Sequence, residues 1–277
     1  TMKAAFVKVP LSVEIRDVDA PSETLSPTDV VVRILRCGLN SIDVQYGQRL
    51  AEKDTLPLGH EAVGVVYAVG ASVAALEPGQ RVAVETHTAL SRDENLKNGE
   101  PQHAVDLMAF TAKQSYVAEF VRVHASALHP IKEMDVNRAS LTYPMSVALD
   151  LVDASDIRLD QSLVVYGSDP VALLTIYLAR RRGARQIIAV AKSRNKKGIE
   201  LLKTFGADDV ILSDREHPTG KIMTLTGKRG ADRVLIAAPP EVIPQAIGVS
   251  RFGGVVTYSG IRFRSEERRV GKECRSR

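Results

Sequence analysis

From about Asp135 onward, short β-branched runs alternate with helix-length segments, and that alternation leaves few architectures open to the chain. Leu163-Val164-Val165-Tyr166 is followed by a helical stretch from Val171 to Arg182, then by Ile187 to Val190, a helix from Lys196 to Phe205, Asp209-Val210-Ile211-Leu212, and the runs Arg233 to Ala237 and Val255 to Tyr258. Strands alternating with helices of this length imply a parallel sheet covered on both faces. The expectation is a doubly wound nucleotide-binding domain over residues 155–263. A linking helix is expected over 136–154, which Val136, Ala139, Leu141, Met145, Val147, Ala148, Leu149 and Val152 suit.

Residues 1–135 follow a different grammar. The runs Met2 to Lys8, Val13 to Val18, Val30 to Leu35, Val63 to Val69, Arg81 to Glu85 and Tyr116 to Val123 are β-branched and separated by Pro, Gly and Asp turns, as in a barrel or sandwich. The polar stretch Thr86 to Ala104 is the one long loop-like insertion. The whole is an α/β protein with a β-rich first domain.

Composition narrows the function classes. No apolar run approaches the ~18 residues of a membrane span, and a 44% hydrophobic, 25% charged chain is neither disordered nor collagen-like. Two cysteines, Cys37 and Cys274, make no disulfide framework, and nothing before Met2 reads as a leader, so a reducing cytoplasm is the expected compartment. The net charge of +4 sits mostly in the last fourteen residues, Arg264 to Arg277, which hold six Lys/Arg and three Asp/Glu. The remainder is nearly neutral, so neither a nucleic-acid nor a membrane partner is expected. That terminal stretch matches a sequencing-library adapter in translation. Residues 264–277 are therefore read as a non-native tail, with the nucleotide-binding domain incomplete beyond Phe263.

The most specific pattern is Gly59-His60-Glu61-x-x-Gly64-x5-Gly70-x-x-Val73, followed by Glu77-Pro78-Gly79-Gln80-Arg81-Val82. With Cys37-Gly38, Asp43 and Pro144-x-Ser146-Val147-Ala148-Leu149, it resembles the zinc-containing alcohol dehydrogenase family of the medium-chain dehydrogenase/reductase superfamily. The resemblance implies a GroES-like catalytic domain followed by a Rossmann domain. It also implies hydride exchange between a nicotinamide in the cleft and a small-molecule alcohol or carbonyl, in a homo-oligomer when full length. In that family a zinc ion polarises the substrate oxygen as a Lewis acid.

Carried over position by position, the resemblance argues against zinc here. Asn40 stands where the family has a thiolate ligand, and its amide is a poor zinc donor. His60 and Glu61 are kept, but the third ligand position is Tyr143, a neutral phenol at pH 7. Ile42, just before Asp43, lacks the hydroxyl that relays the substrate proton. The four structural cysteines fall on Leu90, Asp93, Leu96 and Ala104, and an apolar plug of Leu90, Leu96 and Ala104 is expected in place of a metal. His87, His103, His124 and His129 have no ligand spacing, and Cys37 reads as a small buried residue.

The cofactor turn is altered too. The family's Gly-x-Gly-Pro-x-Gly stands here as Gly167-Ser168-Asp169-Pro170-Val171-Ala172. Asp169 brings a side chain and a negative charge where the backbone approaches a pyrophosphate, although Asp before Pro is also a good helix start. After the second strand, Ala191 replaces the acid that would bind the ribose 2′-hydroxyl of NAD, and Lys192, Ser193 and Arg194 follow, which favours NADP. A solvated basic turn is the alternative for those three residues.

Two readings follow. One is an NADP-preferring, zinc-free oxidoreductase acting on a carbonyl, enone or quinone, with Asn40, Asp43, His60, Glu61 and Tyr143 at its catalytic site. The segment Gly38 to Asp43, similar to the quinone oxidoreductase branch, supports it. The other is a non-catalytic relative that keeps the fold and a nucleotide.

Overall fold

The computed structural model describes residues 1–8, 12–22, 24–39, 43, 55–85, 88–89, 107–108 and 114–259. The chain divides into two compact units, the first ending at Pro144. That division falls inside the segment expected to link the domains.

In the first unit the strands are β1 (Met2–Lys8), β2 (Ser12–Val18), β3 (Asp29–Gly38), β4 (Leu56–Pro57), β5 (Glu61–Val69), β6 (Arg81–Val84), β7 (Thr88–Ala89), β8 (Leu107–Met108), β9 (Phe120–His124) and β10 (Leu128–Pro130). They form a three-stranded sheet in the order β2-β1-β4, a five-stranded sheet in the order β10-β6-β5-β3-β9, and the short ladder β7-β8. Alternation along the strands of the larger sheet feeds two cores. Val30, Val32, Val66, Val82, Val121 and Tyr116 pack together on one side. Val63 and Ala83 meet Ile131 and Ala139 on the other.

The strand expected from Tyr116 begins only at Phe120. Residues before it are drawn elsewhere: the amides of Tyr116 and Val117 both donate to the Leu58 carbonyl, as does the Ser115 hydroxyl, while Ala5 donates to the Val117 carbonyl. The linking helix is also two pieces, α1 (Val136–Ala139) and α2 (Thr142–Ala154). Pro144 explains the break. In a continuous helix its ring would clash with the carbonyl four residues back, whereas restarting at Thr142 puts it in a first turn, where no intrahelical N–H is needed. Asp135 caps α1 by accepting from the amides of Asn137 and Arg138.

The second unit contains β11 (Ser162–Tyr166), α3 (Pro170–Arg181), β12 (Gln186–Ala191), α4 (Lys196–Phe205), β13 (Asp209–Leu212), α5 (Pro218–Leu225), β14 (Ala231–Ile236), α6 (Ile243–Val249) and β15 (Ser250–Tyr258). All its strand pairs are parallel, in the order β13-β12-β11-β14-β15. Consecutive residues of β11 enter opposite cores. Leu163 and Val165 join Ile176 of α3 and Leu202 of α4, while Val164 and Tyr166 join Ile222 of α5 and Ala246 of α6. This is why the run is apolar at every position after Ser162.

Two cores on opposite faces of one sheet make a quantitative expectation. Ile176→Ala and Ile222→Ala, both fully buried, should each cost roughly 2–5 kcal/mol. The double variant should lose their sum to within about 0.5 kcal/mol, because no side chain is shared across the sheet. Urea unfolding of the three proteins checks this; strong coupling would mean the two faces are not separately packed.

Candidate functional site

Asp43, His60, Glu61 and Tyr143, which the sequence pattern scatters over a hundred positions, lie together in the first unit. Gly59 makes this possible. Its φ of +83° turns the chain into β5, and a Cβ there would lie 2.6 Å from the Cys37 sulfur. The turn sends two ionisable side chains inward, so that His60 is 1% exposed and Glu61 is also buried. Opposite Glu61 in the β3–β5 register stands Gly38, where any side chain would collide with the Glu61 carboxylate.

The imidazole is held from three sides. Its Nδ1 is 3.1 Å from Asp43 Oδ1, the same oxygen that accepts from the Gly59 amide at 3.2 Å. Its Nε2 faces Glu61 Oε1 at 3.9 Å, which is an electrostatic rather than a hydrogen-bonding distance. Its ring meets Tyr143 edge-on, with centroids 4.7 Å apart and planes at 88°. A histidine fixed at Nδ1 by a carboxylate has its ring orientation set, and Nε2 becomes the atom that can exchange a proton.

Cys37 adjoins this cluster without sharing its chemistry. Burial pushes its thiol up to about 12, and the charges of Asp43 and Glu61 act in the same direction. At neutral pH it is a thiol, neither nucleophile nor thiolate ligand. Of the ligand positions that are described, His60 and Glu61 are ordinary zinc donors and Tyr143 is a phenol, and among the described residues no group of three His, Cys, Asp or Glu side chains could hold a metal ion. Asn40, Ile42 and the positions Leu90, Asp93, Leu96 and Ala104 lie outside the described residues, as do His87 and His103. His124 caps a short 3-10 turn and His129 pairs with Glu85 at the surface.

The second cluster is in the second unit, where the tips of β11 and β14 part company. Gly167, with φ +132°, follows β11, and a Cβ there would sit 2.4 Å from the Ala237 carbonyl. Sheet-like bonds continue across it, from the Gly167 amide to the Val190 carbonyl and from the Ala237 amide to the Tyr166 carbonyl, both 2.9 Å. Asp169 caps α3, accepting from the Ala172 amide at 3.0 Å, with Pro170 as the first helical residue and Val171 next. The helix-start reading of Asp169 is thus realised in the geometry. Asn195, the cap of α4, donates to the Ser168 carbonyl at 2.8 Å and to its hydroxyl at 3.0 Å, binding the glycine turn to the loop after β12.

On that loop Lys192 and Arg194 are exposed, and Ser193 gives both its amide and its hydroxyl to Asp214. Ser193 was singled out in the sequence, whereas its partner Asp214 and the cap Asn195 were not, because the sheet register and the helix cap bring them there.

Comparisons with known proteins agree with both units. Residues 26–133 match the family described as "Alcohol dehydrogenase GroES-like domain", and residues 170–273 match "Zinc-binding dehydrogenase". The chain is 30% identical over 241 residues to an NADP-dependent isopropanol dehydrogenase of Clostridium beijerinckii, covering 83% of this chain and 68% of that protein. It is 27% identical over 259 residues to a sorbitol dehydrogenase of Gallus gallus, covering 90% and 72% respectively. The solved structure of an alcohol dehydrogenase from Thermus sp. ATN1 superposes with a TM-score of 0.81 at 25% identity, covering 95% of this chain and 79% of that one.

The buried thiol sets an alkaline limit. Cys37 is protonated in the folded state and ionised in the unfolded state between its ordinary value of 9.0 and about 12, so the stability it contributes is complete below that window and is lost as pH rises through it. Tyr116, raised by burial from 10.0 to about 12, adds to the loss. Urea unfolding across this range should show stability falling with pH. Cys37→Ala should remove a slope of up to roughly 1.4 kcal/mol per pH unit, and an unchanged slope would contradict the assignment.

Proposed function

Since the chain belongs to the alcohol dehydrogenase family of the medium-chain dehydrogenase/reductase superfamily, we propose that it exchanges hydride between NADP(H) and a carbonyl, enone or quinone without a catalytic zinc. It is an NAD(P)-dependent oxidoreductase with a GroES-like and a Rossmann-type domain. No helix among the described residues is long and apolar enough to cross a membrane.

The observation that carries the zinc-free reading is the Asp43–His60–Glu61–Tyr143 cluster: a proton-handling set, short of metal donors. When bound, the reduced nicotinamide supplies the hydride. His60, oriented by Asp43, is the proposed proton donor to the oxygen or carbon that becomes basic as hydride arrives, and Glu61 lies 3.9 Å from its Nε2. Tyr143 meets the ring edge-on and is proposed as the second group able to donate a proton. Asn40 is proposed as a polar contact for the substrate. An enone or quinone suits this set because hydride adds to carbon conjugated with the carbonyl, so less Lewis-acid assistance is required than for an unactivated ketone.

The dinucleotide is proposed to lie on the turn from Gly167 to Ala172, with Lys192, Ser193 and Arg194 at the ribose 2′-phosphate. Support comes from the parallel sheet order, the absence of space for a Cβ at Gly167, and the NADP dependence stated for the Clostridium beijerinckii relative. Asp169 is the departure. Its carboxylate takes an amide at the α3 N-terminus and repels a pyrophosphate, the one observation favouring a relative that binds a nucleotide weakly and does no chemistry.

Steady-state assays with NADPH and a panel of enones and quinones test the function. Turnover should survive chelator treatment with well under one zinc per chain, and one tightly held equivalent of zinc would overturn the zinc-free reading. His60→Gln should lower kcat by about a hundredfold or more with NADPH affinity little changed. Binding of NADPH with no turnover of any substrate would instead establish the non-catalytic relative. Asp169→Gly should tighten NADPH binding by about tenfold while the melting temperature barely moves, since glycine replaces a capping carboxylate at a cost of only about a few tenths of a kcal/mol; calorimetric titration and thermal unfolding read both.

A further inference from the structure

We propose that Asp214 is a cofactor-discriminating residue that weighs against the 2′-phosphate at the site where Lys192, Ser193 and Arg194 attract it. The inference rests on the placement of the adenosine ribose proposed above.

The second strand of the nucleotide-binding unit ends at Ala191 without an acid, yet a carboxylate stands there, delivered from the neighbouring strand. Ala191 of β12 is in register with Leu212 of β13, so the residues following each strand run side by side. Ser213 locks the junction, its amide donating to the Ala191 carbonyl at 2.9 Å. Asp214 follows, and its carboxylate receives the Ser193 amide at 2.9 Å and the Ser193 hydroxyl at 2.5 Å, one donor on each oxygen. These two bonds hold the Asp214 carboxyl below its usual range, so it is an anion at neutral pH.

The loop that carries it is pinned. Arg215 and Glu216 both donate their amides to the Leu212 carbonyl, Glu216 Oε1 accepts from the Leu212 amide at 3.1 Å, and Lys221 pairs with Glu216 at 2.7 Å. The main chain of the loop is thereby fixed, and the exposed Asp214 carboxylate is held beside Ser193 by the two hydrogen bonds that Ser193 donates.

The consequence is a competition for one proton. A serine hydroxyl has a single hydrogen to give, and here it is given to Asp214. A 2′-phosphate carrying about −1.5 to −2 charges would have to take that donor while lying next to a fixed carboxylate. A 2′-hydroxyl carries no charge and can donate to the same carboxylate. Lys192 and Arg194 pull toward the phosphorylated cofactor and Asp214 pulls toward the unphosphorylated one, which leaves the chain with a narrower preference than its two cations alone would set.

The test is the dissociation constants of NADPH and NADH, with 2′,5′-ADP and AMP as probes of the ribose end alone, for the unmodified chain and for Asp214→Asn. The amide keeps the shape and can still accept from the Ser193 amide. NADPH and 2′,5′-ADP should bind about tenfold more tightly to the variant, NADH and AMP within about twofold of the starting value, and the gain should shrink at high salt. Equal changes for phosphorylated and unphosphorylated ligands, or none for NADPH, would overturn the inference. Asp214→Ser provides the same comparison if the amide disturbs the loop. An unmodified chain that binds neither cofactor overturns the proposed function and this inference together, whereas binding of both with no selective response to the variants overturns the inference alone.

Discussion

At Gly167 the backbone turns within reach of the Ala237 carbonyl, and no side chain fits between them. The second unit is organised around that contact. It marks the point where β11, the central strand buried on both faces, stops pairing and the chain must leave for α3 on one face while β14 leads to the helix on the other. Because β11 divides its side chains between two cores, shifting it by one residue would exchange both sets at once. The turn is therefore fixed by packing on both sides of the sheet.

The first unit meets a harder physical problem, since it removes an imidazole and two carboxylates from water in one place. Such groups are tolerated only when each has partners, because an isolated buried charge costs several kcal/mol. Here the partners are mutual: Asp43 serves the Gly59 amide and His60 together, and Glu61 lies close enough to His60 for attraction. The same burial keeps water from screening the charges of the cluster, so each is felt strongly by its neighbours. Cys37, behind Gly59, feels the same charges: burial and the two neighbouring carboxylates disfavour a thiolate, so the residue serves packing alone.

Much of this was legible in the sequence, for identifiable reasons. Long runs with one period, such as Met2–Lys8 and Lys196–Phe205, coincide with β1 and α4 because local pattern and tertiary burial agree there. The Gly59-His60-Glu61 motif was legible because each residue has a separate local duty: turn, ring, carboxylate. The strand expected from Tyr116 was shortened by side-chain and backbone bonds to Leu58, which leave no trace in periodicity. Helices α5 and α6 are short, each opened by or containing a proline, and too brief for a 3.6-residue pattern to stand out. Asp214 reaches Ser193 only through the β12–β13 register, and no spacing rule connects residues that far apart.

The distribution of charge at the proposed cofactor turn separates the two departures from the family pattern. Asp169 is explained locally: it satisfies an amide that a helix start leaves open, and it does so whether or not a dinucleotide binds. Asp214 caps no helix, and its carboxylate accepts the amide and the hydroxyl of Ser193 in the loop that follows β12. Asp169 thus answers to the helix it caps, a duty that glycine fills at a cost of only about a few tenths of a kcal/mol. Asp214 answers instead to the donors of Ser193, and under the proposed placement of the ribose a change there is felt through those donors.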